Sequence, residues 1–262
     1  MDISYSYTVA GFTVGFIVGL TGVGGGSLMT PLLVVLFGVK PALAVGTDLL
    51  YAAITKSGGI FVHHYQKSID WKIVGLLSSG SIPASLAALY LLNHLETSGE
   101  DYDRLITSVL SIALILTSLV LYFKNKLQSA SQNERFKPIR ALHHRLRKPM
   151  TVFSGVMIGT LVTISSVGAG AFGAAVLLFL YPRLRAVTII GTDLAHAVPI
   201  TAIAGLGHAH IGTVDYALLI NLLIGSLPGI YLGSRAAARM PDKLIRPILA
   251  TMLILIGVRM AL

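Results

Sequence analysis

The chain contains no cysteine, which removes disulfides, thiolate metal sites and thiol nucleophiles. It is also poor in charge. Only 12% of residues are Asp, Glu, Lys or Arg, against roughly 25% in soluble domains. No Lys or Arg precedes Lys40, so the positive start of a secretory signal peptide is not expected. No hydrolase, P-loop or zincin motif occurs, so neither an enzyme nor a cofactor is expected. What fills the chain instead is apolar: 54% of its 262 residues are hydrophobic and the mean hydropathy is +0.78. Several runs reach the ~20 residues that cross a bilayer. The expected class is an all-α, multi-pass membrane protein whose largest partner is lipid. The net charge of +9 is not read as nucleic-acid binding, because eight of the 20 basic residues lie between Lys124 and Lys148.

The apolar sequence repeats. Gly46-Thr47-Asp48-Leu49 returns 145 residues later as Gly191-Thr192-Asp193-Leu194, His63 as His208, Asp70 as Asp215, and Gly80-Ser81-Ile82-Pro83 as Gly225-Ser226-Leu227-Pro228. Across residues 46–83, 11 of 38 aligned positions are identical. Upstream, at an offset of 144, Gly11, Gly15, Val23, Gly24 and Gly26 match Gly155, Gly159, Val167, Gly168 and Gly170. The chain therefore divides into a first repeat, 1–124, a basic linker, 125–149, and a second repeat, 150–262. Each repeat reads as two short apolar arms around a glycine cluster (7–22 and 28–38; 150–166 and 171–181), then three longer helices. Those helices fall at about 42–63, 70–93 and 103–124, and again at about 186–207, 214–235 and 243–261. Glycine-interrupted apolar segments at matching places in two halves are the best sequence pointer to a transporter site.

Charge selects the topology. If each pair of arms folds back as a re-entrant or half-helix hairpin, the repeats are inverted, and 16 Lys and Arg residues fall on the side of the linker while Lys40, Arg104 and Arg259 fall on the other. A single crossing gives 11 against 8. Basic residues mark the cytoplasmic side, so the inverted arrangement is expected, with the linker cytoplasmic. The amino terminus and the acidic loop of Glu96, Glu100, Asp101 and Asp103 would then lie outside. The arm at 28–38 spans about 16 Å as a helix, too short for a ~30 Å hydrocarbon core.

The candidate site is built from the glycine clusters. Gly24, Gly25, Gly26 and Ser27 begin one arm, and Gly168, Ala169, Gly170 and Ala171 begin its counterpart. Glycine lets the backbone approach a solute closely, and helix N-termini present unpaired N–H donors that suit anions. Ser27, Ser165 and Ser166 add hydroxyls. For Gly11, Gly15 and Gly19 close helix packing is the better account. Asp48 and Asp193, beside Thr47 and Thr192, are the only acids placed inside membrane segments. Such carboxylates are costly in lipid. They either carry a proton and couple transport, or tie down backbone N–H groups with their threonines. Lys56, whose counterpart is Thr201, attracts the anion, pairs with Asp48, or snorkels to the inner interface. His63, His64, His208 and His210 fall at helix ends and read as interfacial residues rather than metal ligands, since no cysteine or nearby acid completes a site. The shared Gly-Ser-x-Pro removes a helix hydrogen bond and is expected to kink its helix.

The run Gly19-Leu20-Thr21-Gly22-Val23-Gly24-Gly25-Gly26-Ser27-Leu28-Met29-Thr30-Pro31, followed by Ala44-Val45-Gly46-Thr47-Asp48, resembles the signature of the sulfite exporter TauE/SafE family. The resemblance extends over nearly the whole chain. It implies a multi-pass inner-membrane transporter, an exporter of sulfite or small organosulfonates such as sulfoacetate. The substrate contacts would be Gly24–Ser27, Thr47, Lys56, Gly168–Ala171 and Thr192, with Asp48 and Asp193 as coupling or structural acids. A passive anion channel and a transition-metal permease are the alternatives. The oligomeric state is left open.

Overall fold

The computed structural model describes residues 5–21, 26–96, 101–131, 137–237 and 242–261. These form ten α-helices and no strand. The first repeat holds α1 (Tyr5–Thr21), α2 (Gly26–Phe37), α3 (Pro41–Tyr65), α4 (Trp71–Glu96) and α5 (Asp101–Ser131). The second holds α6 (Lys137–Ser165), α7 (Ala171–Leu180), α8 (Ala186–Ile211), α9 (Tyr216–Ala237) and α10 (Asp242–Ala261). An all-helical architecture is what lipid demands, since a helix satisfies its own backbone.

Local chemistry sets the boundaries. Pro41 opens α3, where its missing N–H has no partner to lose. The Asp70 carboxylate accepts from the N–H groups of Lys72 and Ile73 at the start of α4, at 3.1 and 3.3 Å. Asp215 does the same for Leu218 in α9, at 2.9 Å. Gly212 closes α8 in the left-handed region, with φ 94°.

Five helical segments among the described residues are long and apolar enough to cross a membrane: Trp71–Leu95, Tyr102–Val120, Leu146–Ser165, Ala186–Ile211 and Tyr216–Gly233. In contrast, α2 has 12 residues and α7 has 10, too few for a ~30 Å core. The basic linker departs from expectation. Most of 125–149 is helical, because α5 runs on to Ser131 and α6 starts at Lys137. Its Lys, Arg, Leu and Gln residues are good helix formers, and Pro138 falls in the first turn, where it is tolerated. Pro83 and Pro228 lie within α4 and α9, which continue through them.

The helices pair across the repeats: α1 with α9, α6 with α4, α3 with α8 and α5 with α10. Since α1 corresponds to α6 and α9 to α4, these contacts obey one approximate two-fold relationship. Glycines make the first two pairings close. A Cβ on Gly15 would lie 2.5 Å from the Ser226 carbonyl oxygen and one on Gly159 2.7 Å from Ser81 Cα; Gly11 and Gly155 are equally closed in by the backbones of Leu222 and Leu77. For Gly11 and Gly15 the expectation of close packing holds. Large apolar side chains such as Phe61, Tyr90, Phe153, Leu206 and Leu255 point outward, each more than 60% exposed, as a lipid-facing surface requires.

Candidate functional site

The second repeat shows how its helix is interrupted. After α6 the backbone turns through three residues with positive φ: Ser166 at 57°, Gly168 at 120° and Gly170 at 136°. Glycine adopts such angles at little cost, while a residue bearing Cβ does not. Ser165 steadies the turn by accepting from the Val167 N–H at 3.2 Å and donating to the Leu161 carbonyl at 2.6 Å. Helix α7 then starts at Ala171, and no side chain among the described residues caps it. Ser165, Ser166, Val167 and Ala169 are all buried. In the first repeat Gly26 and Ser27 are the first two residues of α2, while Gly24 and Gly25 lie outside the described residues.

Two charged residues of α3 meet this break. Asp48 is fully buried. Its Oδ2 accepts from Thr30 Oγ1 of α2 at 2.5 Å and from Ser166 Oγ at 3.0 Å, and its Oδ1 has no hydrogen-bond partner among the described residues. Two turns later Lys56, only 7% exposed, donates from Nζ to the Ala169 carbonyl at 2.8 Å. The fields of Asp193 and Asp48 both act on this ammonium. Lys56 therefore does not snorkel; it turns inward to the break. Asp193, 6% exposed, lies over Gly173 of α7, where a Cβ would strike its Oδ1.

Thr47 and Thr192 are placed elsewhere. Thr47 Oγ1 accepts from the Asp215 N–H at 3.0 Å, and Thr192 Oγ1 from the Asp70 N–H at 3.0 Å. The glycine before each threonine seats the same corner: Gly46 packs on the carbonyl of Thr213 and on His208, and Gly191 on the carbonyl of Ser68 and on His63. Gly-Thr in each repeat thus grips the His-to-Asp corner of the other. His208 is fully buried, which corrects its assignment as an interfacial residue. Its Nδ1 meets Thr213 Oγ1 at 2.8 Å and its Nε2 the Thr163 carbonyl at 2.9 Å. His63 Nδ1 meets Ser68 Oγ at 2.8 Å, while His210 is exposed.

Sequence reasoning gave no site role to Thr30, Tyr51, Ser81 or His196. Tyr51 and His196 occupy matching places in the repeats, each one turn after its aspartate. Both are buried, at 0% and 1% exposure. His196 Nε2 pairs with Ser81 Oγ at 2.8 Å. The alignment of the repeats already set Tyr51 opposite His196, and that was the available signal.

Residues 7–260 match the family model described as "Sulfite exporter TauE/SafE". The chain belongs to the TauE/SafE family. It is accordingly a multi-pass membrane transporter and not an enzyme. Among its relatives, YjnA of Bacillus subtilis, named "Probable membrane transporter protein", is 36% identical over 257 residues, covering 98% of this chain and 99% of YjnA. YdhB of the same organism is 26% identical over 238 residues (90% and 91%). MJ0441 of Methanocaldococcus jannaschii is 26% identical over 277 residues (97% and 94%). Both carry the same description. No solved structure matches the chain.

Proposed function

We infer that this TauE/SafE transporter exports sulfite or a small organosulfonate across the cell's inner membrane, binding the anion between the two broken segments. The observation that carries this reading is the start of α7. It is an uncapped helix N-terminus at a buried backbone break, beside the one ammonium inside the bundle whose position is described, Lys56. Backbone N–H groups near Gly168–Ala171 and Gly24–Ser27 would hold the sulfonate oxygens, with Lys56 setting a positive local field. Thr47 and Thr192 leave this list of contacts, because they accept backbone N–H bonds at the opposite corners.

An anion can share so dry a place with Asp48 and Asp193 only if their negative charge is offset. A proton taken up with the anion would do this, and would couple transport to the proton gradient. The repeats would be inverted, with the linker cytoplasmic and the amino terminus outside. Rocking of one set of helices against the other would expose the site to each side in turn. The close α1–α9 and α6–α4 pairings support movement as rigid pairs.

Efflux from proteoliposomes tests the reading. Sulfite or sulfoacetate efflux that speeds up with an opposing pH gradient is expected. Flux indifferent to the gradient, with large unitary currents, would make the protein a channel. Metal uptake lost on His63→Ala and His208→Ala would replace the anion altogether.

A further inference from the structure

Buried polar atoms are nearly always hydrogen-bonded, and an exception calls for an explanation, such as an absent water, ion or ligand. Among the described residues, the buried exceptions on α3 and α8 include Asp48 Oδ1, Tyr51 Oη and His196 Nδ1. They are not scattered. Tyr51 and Asp48 lie one turn apart on α3, and His196 occupies the Tyr51 position on α8. Asp48 acts electrostatically on Tyr51, and Lys56 acts on both Asp48 and His196. Tyr51 also packs in one cluster with Val167 of the break and with Leu28 and Met29 of α2.

We propose that Tyr51 and His196 are paired recognition donors, one from each repeat, whose Oη–H and Nδ1–H bond the oxygen atoms of the transported anion. This rests on the anion reading above and adds residues that neither the glycine clusters nor the family signature assigns.

The hydrogen-bond inventory fixes the direction of the histidine. Ser81 is fully buried, and among the described residues its hydroxyl has the single partner His196 Nε2. If Ser81 donates to Nε2, the ring proton sits on Nδ1 and one donor is left over. If Nε2 donates to Ser81, both the serine proton and the Nδ1 lone pair lack partners. The first arrangement strands fewer groups and is therefore favoured. It leaves an N–H pointing away from Ser81, which an oxyanion can accept. On the other side the Tyr51 phenol faces Ser226, the counterpart of Ser81, without meeting hydrogen-bond geometry. Its proton is likewise left over for a solute. Neutral donors suit this task, since they add no charge to a centre that already holds Lys56, Asp48 and Asp193. A phenol on one side and an imidazole on the other make the two ends of the site unlike. That favours a solute with two different ends, a sulfonate and a second polar group, over a compact symmetric anion.

Anion-dependent thermal stabilisation of the full chain in nanodiscs separates the outcomes. The probes are sulfite, sulfate and sulfoacetate. The wild type is expected to melt higher with sulfoacetate than with sulfate. Tyr51→Phe removes an oxygen that no described residue meets in hydrogen-bond geometry, so its melting temperature without anion should be unchanged while its Kd for sulfoacetate rises about tenfold. His196→Gln sets an amide where Nε2 stood and nothing at Nδ1; it should keep the fold and lose affinity similarly. His196→Asn does the reverse, melting lower but still binding. Wild-type affinity in Tyr51→Phe or His196→Gln overturns the proposal. So does a fall of several degrees in the anion-free melting of Tyr51→Phe, the mark of a purely structural hydroxyl. A wild type that no probe stabilises removes the sulfur-anion reading and this proposal together.

Discussion

The Ser166 hydroxyl donates to Asp48 Oδ2 across 3.0 Å, so the interruption in one half of the chain holds the buried acid of the other. Thr30 completes the clamp. At the repeat offset of 144 the counterparts of Thr30 and Ser166 are Ala174 and Gly22, neither of which has a hydroxyl. The two acids are therefore not equivalent, although the motif around them is repeated. Asp48→Asn keeps an acceptor for both hydroxyls and removes the titratable oxygen. The variant is expected to insert and to bind anion, while its efflux no longer answers a pH gradient. Proteoliposome flux at matched and opposed pH measures this, and a wild-type gradient response would exclude Asp48 as the coupling acid.

Lys56→Met keeps the length of the side chain and deletes the ammonium. The Ala169 carbonyl then loses its 2.8 Å donor, and leaving a buried acceptor bare costs about 1–3 kcal/mol. Efflux should fall at least tenfold, because the field opposing Asp48 and Asp193 goes with it. Lower melting with undiminished efflux would reduce Lys56 to a structural prop.

Tightly packed and open helix glycines can be set against each other. A Cβ on Gly191 would come within 2.6 Å of the Ser68 carbonyl oxygen, and one on Gly46 would collide with that of Thr213. Neither neighbour is a side chain that can swing aside. Gly191→Ala and Gly46→Ala should each lower melting sharply and reduce the folded yield. Around Gly58 and Gly75, in α3 and α4, nothing lies within 4 Å of the added carbon. There alanine should be neutral or stabilising by about 0.5–1 kcal/mol. Fluorescence-detected gel filtration of heated samples ranks the four.

Thr47→Val and Thr192→Val preserve shape and delete the oxygen that accepts from Asp215 and Asp70. Each is expected to cost about 0.5–2 kcal/mol, the usual range for a lost helix-start acceptor. Their effect on the Kd for sulfoacetate should be small. A tenfold loss of affinity at unchanged melting would return these threonines to the binding site.

The helical class, the repeat and the glycine-broken segment of the second half were legible in the sequence because each leaves a one-dimensional trace: apolar length, self-similarity and helix-breaking composition. Partners across the repeats were not. Thr47 reads as a neighbour of Asp48, yet its hydroxyl serves a backbone 168 residues away. His208 reads as a polar residue at a helix end, and only the packing of Gly46 onto it reveals why it is buried. The helical extent of the linker was not legible, because polar composition alone does not tell a helix from a loop. Tyr51 and His196 were passed over for a simpler reason: when two repeats are compared, identical residues attract attention and differing ones do not.

The reciprocal corners carry a consequence for biosynthesis. When translation reaches residue 124, the shelf at Gly46–Thr47 has been made, but residues 208–215, which fill it, have not. The nascent first half is then without the partners that cover this shelf in the folded protein. Expressed alone, either half should be degraded. Expressed together from separate genes, the two should rescue one another as subunits of a heterodimer do.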